Sequence, residues 1–185
     1  MTSADFPVTI HGVVLYAAPL PDLSRTARRQ TEKDAVASLV RSALGPDTVI
    51  AHHASGAPYV DGFAGHISVS HGGGFAVLAV SPSVPVGVDV ECWREQIQRV
   101  AGKFLSPEEQ AICRTPEDLL RAWTAKEAVF KASGIPDAVI AEVAYPAPGS
   151  DFSLATLRGT VYTVTHIGAF PRLIALAVPL LLPPV

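Results

Sequence analysis

Two cysteines in 185 residues are too few for a disulfide framework. Cys92 and Cys113 also lack partners at metal-ligand spacing, so neither a disulfide-stapled fold nor a zinc module is in prospect. Both thiols are expected to be reduced and packed. Charge is sparse as well: 17% of residues are Asp, Glu, Lys or Arg and the net charge is −3. No positive excess exists to build a nucleic-acid surface, and any anionic ligand would need a local basic patch. Long apolar runs are missing. The uncharged stretch from Leu173 to Leu182 is too short to span a bilayer and is interrupted by Pro179, so it reads as a buried strand and tail. The opening MTSADFPVTIHG has no basic start followed by an apolar run, so no signal peptide, no membrane association and a cytoplasmic location are expected. What the chain has in quantity is apolar residues, 49%, enough for one good-sized domain or two small fused halves with a genuine core.

The most strongly marked stretch is TPEDLLRAWTAKEAVFKASG, residues 115–134. Thr115 suits the N-cap, Pro116 the first helical position, and Glu117 and Asp118 the positive end of the helix dipole. Gly134 suits a left-handed exit and Pro136 forbids continuation. Trp123, Glu127 and Lys131 are spaced four apart and share one face. Trp123 and Phe130 are expected on the buried side, which brings Glu127 and Lys131 close to apolar neighbours. Taken alone, Glu127 and Lys131 form either an ordinary solvated i,i+4 pair or part of a site.

A second stretch, VPVGVDVE at residues 84–91, alternates as a strand does. Asp89 and Glu91 are two apart and face the same side, where like charges repel. Water, a basic partner or a hard cation must compensate. Oxygen-only ligands suit Mg²⁺, which commonly takes one or two carboxylates together with substrate phosphates; a strand edge with its acids in water is the alternative.

In this order, GVDVE and then WTAKEAVFK, with FLSPEE (residues 104–109) between them, the chain resembles the 4′-phosphopantetheinyl transferases. That family's pattern is G-[IV]-D-[IV]-E followed by W-[ST]-x-K-E-[AS]-x-x-K. Gly87, Val88, Asp89, Val90 and Glu91 fill the first part. Trp123, Thr124, Lys126, Glu127, Ala128 and Lys131 fill the second.

Upstream, VTIHGVVLY (residues 8–16) reads as one strand with His11 and Gly12 inside it. A helix capped by Ser24 or Thr31 runs to Leu44 and stops at Gly45 and Pro46. Arg25, Arg28, Arg29 and Lys33 cluster near its start. They are either an ordinary solvated helix start, although basic residues there oppose the dipole, or, as the resemblance suggests, the binding site for the 3′-phosphate of coenzyme A. At SGAPYV the family often has G-K-P; here Ala57 replaces the lysine. HISVSHGGGFAVLAV (residues 66–80) reads as a hairpin turning at Gly72 to Gly74. Its Ser70 and His71 match the family's Ser-His, with Gly72 where the family has a second serine. Val69 to Phe75 is echoed by Val164 to Phe170, and each is followed by an apolar LAV. His166, in the second copy, lacks a GVDVE context and is read as structural.

The resemblance implies an α+β fold of two similar fused halves, a pseudo-dimer of the Sfp type. Each half is a small antiparallel sheet packed with a long helix. Residues 1–84 would form the N-terminal half and residues 85–185 the half carrying the metal site, and the protein would work as a monomer. It implies transfer of the 4′-phosphopantetheinyl group of coenzyme A to a serine of an apo acyl, polyketide or peptidyl carrier protein, with 3′,5′-ADP released. Asp89, Glu91 and Glu127 would hold Mg²⁺; Glu127 and Lys131 would be catalytic. Arg25, Arg28, Arg29, Ser70, His71, Lys126 and Lys131 would meet the coenzyme, although Lys126 points roughly 100° away from Glu127. The carrier would dock near Phe104 to Gln110, with Lys103 or Arg99 beside it. The rival readings are a silent homologue that binds coenzyme A or a carrier, favoured by Ala57, and another Mg²⁺-dependent enzyme such as a nucleotide phosphohydrolase.

Overall fold

Val8–Ile10 (β1) and Val13–Pro19 (β2) form an antiparallel hairpin rather than one strand. The computed structural model to which they belong describes residues 5–22 and 25–180, leaving out the side chains of Arg25 and Thr26. The expected single strand breaks at His11 and Gly12, whose φ angles of 51° and 76° put both in the left-handed region. A two-residue hairpin loop with two positive φ values matches the twist of its strands. His11 is an unusual residue for the first of those positions, which is why the sequence pattern hid the turn.

Arg25–Leu44 (α1) is the expected first long helix. A small hairpin follows, Ile50–His52 (β3) with Pro58–Val60 (β4), and then His66–Gly72 (β5) and Phe75–Ser81 (β6). Gly72 ends β5, so the turn is Gly73 and Gly74 alone. These strands make a four-stranded antiparallel sheet in the order β1-β2-β6-β5.

The rest of the chain builds a second sheet. Gly87–Cys92 (β7) leads through two short helices, Glu95–Arg99 (α2) and Pro107–Ile112 (α3), into Pro116–Ser133 (α4). The α4 ends are those the sequence marks. Thr115 and Asp118 form a reciprocal capping box, and Gly134 takes φ 60°. Phe152–Leu157 (β8), Thr160–Ala169 (β9) and Arg172–Pro179 (β10) complete the antiparallel order β7-β10-β9-β8.

Alternation along β6 and β10 generates the layers. Ala76, Leu78 and Val80 face α1 with Val36, Leu39 and Val40. Leu173, Ala175 and Ala177 face α4 with Leu120, Ala125 and Val129. The opposite faces, Phe75, Val77 and Ala79 of β6 and Ile174, Leu176 and Val178 of β10, meet each other in one central apolar cluster with Val86, Val88 and Val90. The order is helix, sheet, sheet, helix, and both β6 and β10 are buried on both faces. The connections also correspond: strand, helix, then a hairpin whose second strand returns between the other two, giving β2-β6-β5 and β7-β10-β9. The sequence echo falls on the two hairpin turns. The outer strands differ, β1 beside β2 against β8 beside β9. No helix among the described residues is long and apolar enough to cross a membrane.

Helix α4 crosses β7 at Gly87. A Cβ there would lie 1.9 Å from the Ala128 carbonyl oxygen, so the first residue of GVDVE is glycine because a helix backbone rests on it.

His166 lies on β9 beneath α4, buried as a structural residue would be. It is 5% exposed, with Nε2 3.2 Å from both the Thr124 hydroxyl and the Arg121 carbonyl oxygen. Nδ1 has no partner, so the ring is held neutral. Burial, and next the Arg121 charge, push its pKa down to about 4. Below its ordinary value of about 6.5 the unfolded chain takes up a proton that the folded chain refuses. Stability is therefore expected to fall by about 3 kcal/mol as the pH drops from about 6.5 to 4. Denaturant melts of wild type and His166→Gln across that range check this: the variant should lose that part of the slope, and identical slopes would contradict it.

Candidate functional site

Strand β5 ends one sheet and β7 ends the other. Edge strands carry unpaired N–H groups that need partners. Here the two edges face each other, and serine side chains stand in for a backbone ladder. The Val88 amide donates to Ser68 Oγ at 3.0 Å and the Val90 amide to Ser70 Oγ at 3.2 Å. The strands run so close that a Cβ on Gly72 would lie 2.4 Å from the Val90 carbonyl oxygen. Glycine therefore stands there by steric necessity.

Asp89 projects from this seam toward α4. Its Oδ1 accepts from Ser70 Oγ at 2.8 Å and from Lys131 Nζ at 2.8 Å. Lys131 also donates to the Val88 carbonyl oxygen at 3.1 Å and to Ser70 Oγ at 3.3 Å. The lysine of α4 thus ties helix, β7 and β5 together. The exposed helix-pair reading of Glu127 and Lys131 does not hold, since Lys131 is paired with Asp89. Trp123, Glu127, Phe130 and Lys131 are all half-buried, while the fully buried side of α4 is Leu120, Thr124, Ala125, Ala128 and Ala132. Trp123 packs the helix as expected, with Phe104 edge-on to its ring at 5.0 Å.

Glu127 lies one turn before Lys131. Burial first, and then the Asp89 charge, raise its pKa above the ordinary 4.5; Lys131 opposes the rise and Glu91 adds to it. Three carboxylates from β7 and α4 therefore share one electrostatic environment. Their chemistry, all oxygen with mutual repulsion, fits a hard cation. They are not gathered into a cage as they stand: among the described residues no three His, Cys, Asp or Glu side chains are placed to hold a metal ion. Lys131 holds Asp89. Glu91 accepts from the Cys92 amide at 2.9 Å through Oε1 and from Arg94 at 2.7 Å through Oε2.

The other predicted residues separate. Arg28, Arg29 and His71 come together, with Lys33, around a groove of about 980 Å³ between α1, β3 and β5. His71 and Ser70 are consecutive on β5, so one faces the groove and the other the seam. The side chain of Arg25 lies outside the described residues. Ser70, expected at the coenzyme, is 7% exposed and has its hydroxyl fully engaged within the seam. Lys126, expected at a phosphate, is fully buried. Its Nζ donates to Glu109 Oε2 and to the Val143 carbonyl oxygen, both at 2.6 Å. The roughly 100° rotation from Glu127 carries it into the core instead of toward a ligand.

Part of the expected docking stretch is also turned inward. Phe104, Leu105 and Glu109 point inward. Glu109 closes a capping box with Ser106 and also accepts from the Tyr145 amide at 2.7 Å. Only Pro107, Glu108 and Gln110 of that stretch are exposed, as are Lys103 and Arg99 before it. Sequence reasoning missed Ser68, Arg94 and Glu109. The two-residue spacing of Ser68 and Ser70 was a usable signal for the seam, and the Ser-x-x-Glu spacing of Ser106 and Glu109 was one for the α3 cap; nothing marked Arg94.

Residues 85–167 match the family model of the 4′-phosphopantetheinyl transferase superfamily. That span contains Asp89, Glu91, Glu127 and Lys131, and it begins after α1, β5 and the groove they line. No curated protein matches the chain.

If Glu127 senses this environment, a carbon-detected NMR titration should place its carboxyl above 4.5 in the wild type and higher still in Lys131→Met, which loses the opposing cation. A Glu127 titrating at or below the ordinary value in either protein would contradict the shared environment.

Proposed function

We propose that this protein transfers the 4′-phosphopantetheinyl group of coenzyme A to a serine of an apo carrier protein, acyl, polyketide or peptidyl, and releases 3′,5′-ADP. The observation that carries the reading is the pairing of Lys131 on α4 with Asp89 on β7 at 2.8 Å, with Glu127 one turn away. The residues of both signature stretches meet at one place, inside the span that matches the transferase superfamily.

Asp89, Glu91 and Glu127 are the residues that would hold Mg²⁺, by releasing Lys131 and Arg94. The cation would neutralise the diphosphate of coenzyme A and make its phosphorus more electrophilic. The chain's own groups supply the rest. Glu127, whose proton affinity is raised, accepts the proton of the attacking serine hydroxyl, directly or through a water it orients. Lys131, once released from Asp89, sets its ammonium against oxygens that gain charge as the diphosphate breaks. Arg28, Arg29, Lys33 and His71, with Arg25 from the same cluster, meet the nucleotide phosphates in the α1 groove. Lys126 and Ser70 act by holding α4 and Asp89 in place.

The same reading takes the matching connections β2-β6-β5 and β7-β10-β9 as two fused halves, residues 1–84 and 85–185, working as one monomeric unit in the cytoplasm. The competing reading is a homologue that binds coenzyme A without transfer. Ala57 favours it, because an exposed alanine stands before β4 where the family often has a lysine.

Incubation with coenzyme A, Mg²⁺ and a panel of apo carriers, followed by intact mass, separates the two. The expected result is a carrier gaining one phosphopantetheinyl group, with Glu127→Gln slowed by about 10²–10⁴-fold while still binding coenzyme A. Coenzyme A binding with no carrier ever modified would establish the silent homologue.

A further inference from the structure

We propose that Arg172 anchors a second phosphate-binding subsite, in a cavity of about 360 Å³ where the interface between the two sheets opens to solvent. The cavity lies between Arg28 and Glu32 of α1, the Gly72–Gly74 turn, Cys92 at the end of β7, and Arg172 at the start of β10. The Arg172 guanidinium rests over the Phe75 ring at 5.0 Å, which fixes its plane. Its Nε is buried and has no hydrogen-bond partner. None of the ion pairs among the described residues includes it. A charged N–H donor shut away from water without an acceptor is costly, and the planar fork of arginine matches phosphate oxygens.

The acids at the cavity are already engaged, Asp22 with Arg28 and Glu32 with His71, each at 3.5 Å. The glycine turn packs closely on the guanidinium: a Cβ on Gly73 would lie 3.3 Å from Arg172 Nε and crowd it. Arg28 and Glu32 line both this cavity and the larger groove, so the two are neighbours. The chain lacks a lysine at Ala57, and Arg172 supplies a cation from the other half of the molecule. The ligand is a phosphate group of the nucleotide co-substrate, either its diphosphate or its 3′-phosphate; this identification rests on the proposed transferase reading.

Cys92 provides a readout that needs no catalysis. It is the half-buried one of two cysteines; Cys113 is buried, and burial pushes its pKa up to about 11. A neutral alkylating reagent should therefore modify Cys92 first. Inorganic pyrophosphate and coenzyme A are each expected to slow that alkylation about tenfold in the wild type and to lose the effect in Arg172→Gln, with coenzyme A binding by calorimetry weakened about tenfold. If dephospho-coenzyme A suffers the same loss in Arg172→Gln, the diphosphate occupies the subsite; if it does not, the 3′-phosphate does. The wild-type arm stands even should Arg172→Gln fold poorly, and Arg172→Lys, which keeps the charge without the fork, should protect only partly. A wild type protected by neither compound, or equal protection in wild type and a folded Arg172→Gln, overturns the subsite. A wild type that ignores coenzyme A yet is protected by pyrophosphate keeps the subsite and removes the transferase reading.

Discussion

Everything at the candidate site depends on how β5 and β7 meet. Two sheet edges with unpaired amides would ordinarily pair directly or aggregate. Here Ser68 and Ser70 accept the Val88 and Val90 amides, and Lys131 accounts for the Val88 carbonyl oxygen. Each neutral hydrogen bond of this kind contributes about 1 kcal/mol and those to charged groups about 1.5–3 kcal/mol. The larger effect is the cost of leaving any one of these groups dry and unpartnered. The strands come closest at Gly72, and beside that contact Asp89 takes the hydrogen bonds of Ser70 and Lys131. The seam that joins the sheets is thus the same set of atoms that assembles the charged cluster.

A second constraint fixes where α4 lies. Gly87 admits the helix backbone, and the alanines Ala125, Ala128 and Ala132 keep the approach close. On the far side, Lys126 and Glu109 form a buried pair satisfied by the Val143 carbonyl oxygen and the Tyr145 amide. Such a pair adds little net stability over apolar packing, but removing one partner costs about 3–5 kcal/mol. It sets the rotation of α4 about its axis, and that rotation decides which of two adjacent residues, Lys126 or Glu127, faces the carboxylates. One points into the core so that the other points into the site.

The sequence was most legible where a local rule carried the information. Capping residues at Thr115 and Gly134 marked α4 to within a residue, and alternation marked β7 and the β5–β6 hairpin. The spacing of Glu127 and Lys131 announced a shared face. Illegible were features set by tertiary contact. A histidine in a left-handed turn concealed the β1–β2 hairpin. Lys126 sits in a motif, and only the packing of α3 against α4 reveals its partner. Phe104 and Glu109 look like surface in a short amphipathic helix until Trp123 and Lys126 cover them. Arg172 is one basic residue at the head of an apolar strand, and only the fold brings it to Arg28.

On the proposed reading, the β5–β7 seam and α4 together form one cation and phosphate site. The most direct measurement is a crystal structure with Mg²⁺ and coenzyme A. The prediction is a cation coordinated by Asp89 and Glu127, at the roughly 2.0–2.1 Å typical of Mg²⁺–oxygen bonds, with Lys131 released from Asp89 to a phosphate and the nucleotide lying along the α1 groove. Coenzyme A bound elsewhere, or bound with the Lys131–Asp89 pair intact and no cation at the carboxylates, would contradict it.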